Sequence, residues 1–418
     1  MSRLTGEVDL RRYVRPGDLV MWGQAEAEPL ALTKRLVEQR AELGGIRCFV
    51  GMSTNGTLRP EHADHLRILS YTGSGSNRSL ARAGVLQVLP SRYSDLPALI
   101  TDGRLAVDVL MLQVPAARPD GTTSYGLADE YLSAAAATAR VVLAEVNDRL
   151  PQTTGSNLIR LDGLDAVVYT SREVGQGPAA NLDDVGERVA ENAAGLVEDG
   201  STLQVGIGAL PDAVLRRLTT RRGLGVHSGQ VGDAVAELIE AGAVTNEHKA
   251  VDRGISVVGW LAGSKRLYML ADRNPTISLR PTEYTHDHAV LAALPRLVAV
   301  NSALEVDLTG QVNAEVAAGV YVGAVGGAID FMRGAARSRG GIPITAIRSR
   351  ARCRSTIVAR LSGPVTVPRA DAGVVVTEHG VADLRGLTLE QRRAALLKVA
   401  DPAHRDELDA ASVTPWLQ

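Results

Sequence analysis

The chain contains 418 residues, and 45% of them are hydrophobic, which is enough to bury a large core and to form two or three domains. The formal net charge is −2, so there is no excess of positive charge for binding nucleic acid or an anionic membrane. Two cysteines, Cys48 and Cys353, are too few for a disulfide framework and lack the spacing of a metal site.

No stretch of about 20 apolar residues predicts a membrane-spanning helix, and residues 1–18 lack the apolar run of a signal peptide. Together with the low cysteine content, this predicts a protein of the reducing cytoplasm. The composition also predicts that neither a nucleic acid nor a membrane is a partner.

Short apolar runs alternate with Ala/Leu-rich amphipathic segments in the first part of the chain. Apolar runs of this kind predict strands buried on both faces of a parallel sheet, and they lie at 19–23, 46–51, 106–114, 139–146 and 166–170. Residues 30–42 and 127–139 predict helices between them. The alternation of strands and helices predicts α/β layers.

A polar stretch at 171–187 predicts a linker. The alternation then restarts, with a helix expected at 188–200, a strand at 202–208 and a helix opened by Pro211 at 211–218. We therefore expect two α/β domains, residues 1–185 and residues 186–418.

Two glycine-rich segments are candidates for holding a ligand. GIGALPDAV (206–214) places Gly206 and Gly208 between a strand and a helix, where a backbone can approach an anion, although many such turns only pack a strand against a helix. In GAVGGAIDFMRGA (323–335), Gly326 and Gly327 leave N–H groups accessible to a thioester oxygen or a pantetheine amide. The alternative for the second segment is a tight turn before a helix.

Charged residues follow an apolar strand at VVVTEHG (374–380). Glu378 and His379 stand at the carboxyl end of that strand, where ligand sites of α/β proteins form. The alternative is a solvated strand end.

The segment THDH (285–288) brings two histidines and an aspartate together. No third ligand at a recognised spacing supports a metal site, so we predict no metal. His286 is a candidate for acid–base chemistry, and a polar loop is the other interpretation.

Four arginines alternate along 347–355. On a strand, Arg348, Arg350, Arg352 and Arg354 would share one face and could hold phosphates or carboxylates, whereas a solvated edge strand is equally consistent with the pattern.

Many segments in the same order resemble the acetyl-CoA hydrolase/transferase family, the family of the 4-hydroxybutyrate and succinyl-CoA:acetate CoA-transferases. They include VPAARPDGTTSYG, LQVGIGALPDAV, NSALEVDLTGQVNAE, GAVGGAIDF and VVVTEHGVADLRG. The resemblance implies two α/β domains with mostly parallel sheets, an acyl-CoA site in the cleft between them, and a homodimer. It implies a coenzyme A thioester as substrate and no tightly bound cofactor.

The family's mechanism uses a glutamate that attacks the acyl-CoA and then carries the CoA as a glutamyl thioester. In the segment GVHSGQVGD (225–233), the position of that glutamate falls on Gly229. His286 replaces an asparagine that helps to form the family's oxyanion hole, and Arg348-Ser349-Arg350 replaces a P-S-T segment. The resemblance assigns Glu378 as an active-site carboxylate and keeps the Gly326-Gly327 loop.

Neighbours of Gly229 are candidates for the missing role. Ser228 could be acylated if His227 or His286 acted as its base, whereas the amide of Gln230 is a poor nucleophile. We also expect the missing side chain at Gly229 to leave room for a bound nucleophile.

Three functions are consistent with these departures. The first is direct transfer of an acyl group from CoA, or from the pantetheine of a carrier protein, to a bound nucleophile without a glutamyl–CoA intermediate. The second is CoA transfer to a carboxylate with a substitute nucleophile. The third is a non-catalytic protein that binds CoA esters.

Overall fold

The computed structural model describes residues 2–4, 8–177 and 182–411, and these residues form an α/β fold built on two large sheets. The first part of the chain supplies the strands β1 (Ser2–Leu4), β2 (Leu19–Trp22), β3 (Ile46–Phe49), β4 (Leu66–Ser70), β5 (Leu86–Val88), β6 (Val109–Val114), β7 (Thr122–Thr123), β8 (Val141–Asn147), β9 (Thr154–Gly155), β10 (Ile159–Arg160) and β11 (Ala166–Thr170). Its helices are α1 (Leu30–Gln39), α2 (Asn77–Arg82), α3 (Leu96–Thr101) and α4 (Leu132–Thr138).

The second part supplies the strands β12 (Thr202–Val205), β13 (Gly225–Val231), β14 (Ser256–Leu261), β15 (Ile277–Leu279), β16 (Leu297–Ser302), β17 (Glu305–Asp307), β18 (Val312–Asn313), β19 (Val316–Ala317), β20 (Val320–Tyr321), β21 (Ile342–Ala346), β22 (Arg350–Ala351), β23 (Arg354–Ser355), β24 (Ile357–Val358), β25 (Val374–Thr377) and β26 (Gly380–Asp383). Its helices are α5 (Asp184–Ala194), α6 (Ala209–Arg216), α7 (Asp233–Glu240), α8 (Lys265–Ala271), α9 (Thr282–Thr285), α10 (His288–Ala293), α11 (Ala328–Arg337), α12 (Leu389–Val399) and α13 (Arg405–Ala410).

Both large sheets are mostly parallel, which confirms the expected fold class. The first has the order β1-β11-β8-β6-β2-β3-β4-β5, and all its neighbours are parallel. The second has the order β26-β25-β21-β16-β12-β13-β14-β15-β9, with only β25 and β26 antiparallel. The five apolar runs predicted as strands in the first part are all strands. Four of them are almost wholly buried, and β11 is buried at its start and exposed at Tyr169.

The pairing of β9 with β15 carries residues of the first part into the second sheet. Helix α5 begins at Asp184, where the Asp183 side chain accepts a hydrogen bond from Gly186 N, so it starts four residues before the expected helix at 188–200. Part of the predicted linker at 171–187 is therefore helical, and part of it, residues 178–181, lies outside the described residues. The division into 1–185 and 186–418 stays a prediction.

Two other sequence predictions differ from the structure. The helix expected at 127–139 begins only at Leu132, because Glu130 has a left-handed φ of 47° and forms a bridge with Pro281. The single arginine-bearing strand expected at 347–355 is wrong. The chain reverses there, with Arg352 at φ 57°, and β22 pairs with β23 as a short antiparallel hairpin.

The two halves meet along backbone and side-chain contacts that surround one cleft. Gly73 N donates to Gly323 O at 2.8 Å, and Tyr93 N donates to Gly326 O at 3.0 Å. One hydrophobic core cluster also joins the two halves, because it contains buried residues of both sheets. Within the described ranges, no helix is long and apolar enough to cross a membrane.

Candidate active site

A cavity of about 280 Å³ lies in the cleft between the two halves. The first half contributes Met52, Tyr71 and Tyr93 to its lining. The second half contributes the ends of β12, β13 and β16 and the loop before α11. The carboxyl ends of parallel strands therefore form its floor, as in other α/β ligand sites.

Gly229, His286 and Gly327 pack against one another at the centre of this cavity. A β-carbon on Gly229 would stand 2.9 Å from His286 Cε1, and one on Gly327 would stand 2.5 Å from His286 Nε2. Both distances are shorter than carbon and nitrogen atoms tolerate. The imidazole therefore fills the space that a side chain at Gly229 would need, and the expectation of free room for a nucleophile at that point is wrong.

The surroundings of His286 keep its imidazole neutral. Burial, followed by the neighbouring His227 and His288, lowers its pKa to about 3. Its Nδ1 lies 2.8 Å from the Thr285 hydroxyl, which donates to the Pro281 carbonyl at 3.4 Å. That hydroxyl can accept from Nδ1–H, which leaves the lone pair of Nε2 on the side of Gly327.

Aromatic rings hold the imidazole from two sides. The ring centroids of Phe331 and Tyr93 lie 4.6 Å and 5.0 Å from that of His286. The hydroxyls of Tyr71 and Tyr93 hydrogen-bond to Gln24 and Glu130, deep in the first half, rather than to groups of the cavity. The tyrosines therefore present mainly ring surface to a ligand.

No Asp, Glu, Lys or Arg is found among the residues that line the cavity, all of which belong to the described part of the chain. Its polar groups are His286, Gln230, a few hydroxyls, and the paired amides of Gln204 and Asn301. Asn301 Nδ2 donates to Gln204 Oε1 at 3.0 Å, and Gln204 Nε2 donates back at 3.3 Å. The site is thus neutral and only moderately polar.

The neighbours of Gly229 differ in access. Gln230 lines the cavity, as expected of a site residue. Ser228 does not line it, because its side chain is fully buried and its Oγ donates to Gln230 O at 2.7 Å. His227 lies on the opposite face of β13 from Ser228, and its Nε2 lies 3.1 Å from Thr285 O. The hydrogen bonds of Ser228 Oγ all go to backbone groups, so the condition for its acylation, a histidine acting as its base, is not met in this structure.

Both glycine loops reach the cavity. Gly206, Gly326 and Gly327 line it, whereas Gly208 lies just outside it as the N-cap of α6. Gly326 has a φ of 58° and Gly327 is the N-cap of α11, so the loop aims the start of a ten-residue helix at the cavity. A helix N-terminus of this kind favours developing negative charge.

Glu378 does not line the cavity. Its carboxylate accepts hydrogen bonds from Ser349 N at 2.9 Å and from Ser349 Oγ at 2.7 Å. Four strand spacings separate β25 from β13, which places Glu378 about 19 Å across the sheet from Gly229. Glu378 therefore lies outside this cavity, and its assignment as an active-site carboxylate stays a prediction.

The arginines and the THDH segment are also dispersed. Arg348 Nη1 lies 2.9 Å from Asp183 Oδ2, and Arg350 Nε lies 3.5 Å from Asp401 Oδ2, both outside the cavity. The arginines do not share one face, because they stand on a hairpin, and their role in holding a phosphate stays a prediction.

In the THDH segment, Asp287 caps α10 and His288 faces Asp330, so its side chains diverge from His286. Among the described residues, no three potential ligand side chains come together in a way that could hold a metal.

Sequence reasoning missed the residues of the first half that complete the site. Tyr71 and Tyr93 come after apolar strands and are indistinguishable in the sequence from ordinary core residues. Gln24 and Glu130 lie in loops that carry no recognised motif. The one available sequence signal was that Glu130 closely follows GTTSYG (121–126), part of a segment that carries the family resemblance.

Comparison with known proteins agrees with this architecture. The model of the acetyl-CoA hydrolase/transferase N-terminal domain matches residues 3–174, and that of the C-terminal domain matches residues 263–412. The 4-hydroxybutyrate coenzyme A transferase of Clostridium kluyveri is 35% identical over 395 residues, which cover 93% of this chain and 92% of that protein. The chain belongs to the acetyl-CoA hydrolase/transferase family.

Two further members of the family are similar over most of the chain. The succinyl-CoA:acetate/propanoyl-CoA:succinate CoA transferase of Fasciola hepatica is 34% identical, covering 96% of this chain and 85% of that protein. The crystal structure of RipA from Yersinia pestis has a TM-score of 0.91 and 32% identity, covering 96% of this chain and 94% of that chain.

Proposed function

We propose that this protein binds a short-chain acyl-CoA, or a related pantetheine thioester, and transfers the acyl group directly to a neutral nucleophile bound beside it. One observation carries the proposal. At Gly229, the position that the family resemblance assigns to the nucleophilic glutamate, there is no side chain, and the space is filled by His286. The related proteins named above are CoA transferases, which supports acyl-CoA as the substrate.

The chemistry uses one step in place of the family's covalent route. The nucleophile attacks the thioester carbonyl, its new bond to that carbon forms, and the carbon–sulfur bond breaks. As the nucleophile bonds to the carbonyl carbon, its proton becomes strongly acidic, and His286 Nε2, a weak base, accepts it and passes it to the leaving thiolate, which departs as free CoA. The N-terminus of α11 at Gly327 stabilises the oxyanion that develops on the carbonyl oxygen.

The cavity's size sets the class of acyl group. A volume of about 280 Å³ accommodates a short acyl chain and a small acceptor, but not a long fatty acyl chain as well. Met52, Trp260 and Phe331 contribute apolar surface that favours a hydrocarbon acyl group over a charged one.

The acceptor is water, an alcohol or an amine in its neutral form. A carboxylate would have only the N-terminus of α11 to offset its charge, because the cavity lining has no Lys or Arg in the described chain, and burying a weakly compensated charge is costly. CoA transfer to a carboxylate is the second candidate, and the names of the related CoA transferases favour it.

The test measures release of free thiol from a panel of short acyl-CoAs, alone and with carboxylate, alcohol or amine acceptors. Direct acyl transfer predicts stoichiometric thiol release that one neutral acceptor accelerates, with the acylated acceptor as product. A new acyl-CoA formed from a carboxylate, without net thiol release, would support CoA transfer instead. Thermal stabilisation by acyl-CoA without any turnover would indicate a non-catalytic binding protein.

A pair of variants connects the activity to the site. His286→Asn should lower kcat by about 10²-fold or more, as expected for removal of a general base. The matched control is His65→Asn, because His65 is exposed and lies outside the cavity, and it should leave kcat and KM unchanged. Equal activity of the two variants would exclude His286 from the chemistry.

A further inference from the structure

A buried carboxyl group lies behind the aromatic wall of the active site. Glu130 is only 1% exposed, and its Oε1 accepts hydrogen bonds from Gln24 Nε2 at 2.6 Å and from the Tyr93 hydroxyl. Its other oxygen, Oε2, is buried without a hydrogen-bond partner. The two donors on Oε1 favour an ionised carboxyl, but ionisation would leave Oε2 as a buried, partly charged oxygen without a donor, and full burial outweighs the two hydrogen bonds.

The groups that face Glu130 provide no positive charge. Gln24, Tyr71 and Tyr93 approach it from other elements, and Tyr131 follows it in sequence. The nearest charge is that of Asp129, which acts to keep the proton on Glu130, and Glu283 on α9 in turn acts on Asp129. Ionisation of Glu130 would therefore place an unpaired negative charge in the core.

Two contacts connect Glu130 to His286. Its backbone carbonyl accepts from Thr282 N at 3.0 Å, at the start of the helix that ends at His286. Its side chain fixes the hydroxyl of Tyr93, whose ring packs against the imidazole. The backbone of Glu130 is held at a left-handed φ of 47°, a conformation that costs energy for a residue other than glycine.

We propose that Glu130 is a positioning residue that works as an uncharged acid: it holds Tyr93 and the His286 helix in register, and its ionisation at alkaline pH disables the site. The inference rests on the proposed function only for measurements of enzymatic turnover. Burial raises the pKa of Glu130 to about 8, which places the ionisation within an accessible pH range.

The first test compares pH profiles of kcat/KM, measured as thiol release, for the native protein, Glu130→Gln and Asp129→Asn. The native profile should fall above about pH 8, tenfold for each further pH unit. Glu130→Gln keeps an acceptor for Gln24 and Tyr93 and should lose this decline. Asp129→Asn should move the decline to lower pH, since removing the Asp129 charge makes Glu130 easier to ionise.

Two readouts need no turnover and remain informative if the proposed acyl transfer fails. The infrared absorption of protonated carboxyls should include a component that disappears through about pH 8, and this component should be absent in Glu130→Gln. The free energy of unfolding, relative to Glu130→Gln, should be highest below pH 4.5, the ordinary value for Glu, and should decrease up to about pH 8. The sign follows because the native state retains a proton that the unfolded chain has lost.

The proposal is overturned if Glu130→Gln retains the native alkaline decline, or if no carboxyl band titrates near pH 8. Should Glu130→Gln fold poorly, the direction of the shift in Asp129→Asn decides, because that variant keeps Glu130 in place. A shift to higher pH, or no shift, would exclude Glu130 as the titrating group.

Discussion

Gly229 and His286 are best understood as one feature rather than two separate departures from the family pattern. The imidazole carbon Cε1 would lie 2.9 Å from a β-carbon at residue 229, so any side chain there would require His286 to move. The resulting site has a neutral imidazole beside the position to which the resemblance assigns a carboxylate. Under the proposed function, this exchange would remove the covalent nucleophile and supply a proton acceptor.

The fit of these two residues predicts the behaviour of variants at 229. Gly229→Glu alone should destabilise the protein by about 1–3 kcal/mol through overpacking, and should form no glutamyl–CoA adduct. Gly229→Glu with His286→Asn should recover stability and form the adduct, because the smaller amide vacates the space. Denaturant unfolding and intact-protein mass spectrometry measure the two effects. Gly163→Glu is the control, since nothing lies within 4 Å of a β-carbon there.

Two buried histidines should make the fold sensitive to acid. Burial lowers the pKa of both His227 and His286 to about 3, below the ordinary value of 6.5. Between pH 6.5 and about pH 3, both histidines bind protons in the unfolded chain but stay neutral in the native state. The free energy of unfolding therefore falls as the pH falls. Each histidine contributes a slope of up to about 1.4 kcal/mol per pH unit. Urea unfolding between pH 7 and pH 4 should show a shallower slope for His286→Asn, and equal slopes would contradict the burial of a neutral imidazole.

At the scale of elements, the start of α11 connects the two halves beside the site. Asp330 is fully buried in its first turn and accepts from Ser94 Oγ at 2.9 Å and from Ser94 N at 3.3 Å. The loop that precedes this turn contains Gly326 and Gly327. The position of the Gly326-Gly327 loop therefore depends on a contact with the other half.

Removing that contact should affect both stability and binding. Ser94→Ala leaves part of a buried carboxylate unpaired and should cost about 1–3 kcal/mol of unfolding free energy. It should also raise KM for acyl-CoA more than it lowers kcat, because the glycine loop loses its support. Ser79→Ala is the control, since the Ser79 hydroxyl donates only to the local carbonyl of Ser76. An unchanged KM in Ser94→Ala would separate this contact from the binding loop.

Elements with strong periodicity could be predicted, and elements set by distant contacts could not. The buried strands of the first sheet, such as β2 and β6, follow from their apolar runs. The late start of α4 could not be foreseen, because the bridge between Glu130 and Pro281 overrides the helical pattern of 127–139. The arginine hairpin is another example, since a left-handed Arg352 reverses a segment that alternates like a strand.

The same limit applies to the site. Gly229, His286 and the Gly326-Gly327 loop stand in recognisable motifs, and the structure brings them together. Sequence spacing does not show that the ring of His286 occupies the place of a side chain at Gly229. The sequence also places Glu378 at the end of a strand, but it does not show how many strands separate that strand from the strand of Gly229.

At the scale of the whole molecule, the two halves behave as one packing unit. The largest hydrophobic cluster contains residues such as Met21 and Leu112 of the first sheet together with Val205 and Val231 of the second. The expected homodimer and cytoplasmic location stay predictions.

The shared core predicts a single unfolding transition. Calorimetry should show one cooperative peak, and acyl-CoA should move it to higher temperature. At a ligand concentration one hundred times Kd, binding adds about 2.7 kcal/mol to the free energy of unfolding. The expected result follows because residues of both halves line the cavity proposed to hold the ligand. Two separable peaks, with only one responding to the ligand, would contradict a site built between them.

Covalent trapping during turnover tests direct acyl transfer most clearly. The protein is mixed with acyl-CoA and its acceptor, quenched with borohydride or hydroxylamine, and examined by intact-protein and peptide mass spectrometry. Direct transfer to a bound nucleophile predicts an unmodified protein under conditions in which thiol is released steadily. A trapped modification on Glu378 or any other glutamate, or an acyl group on a serine of the cavity, would contradict it and restore a covalent mechanism.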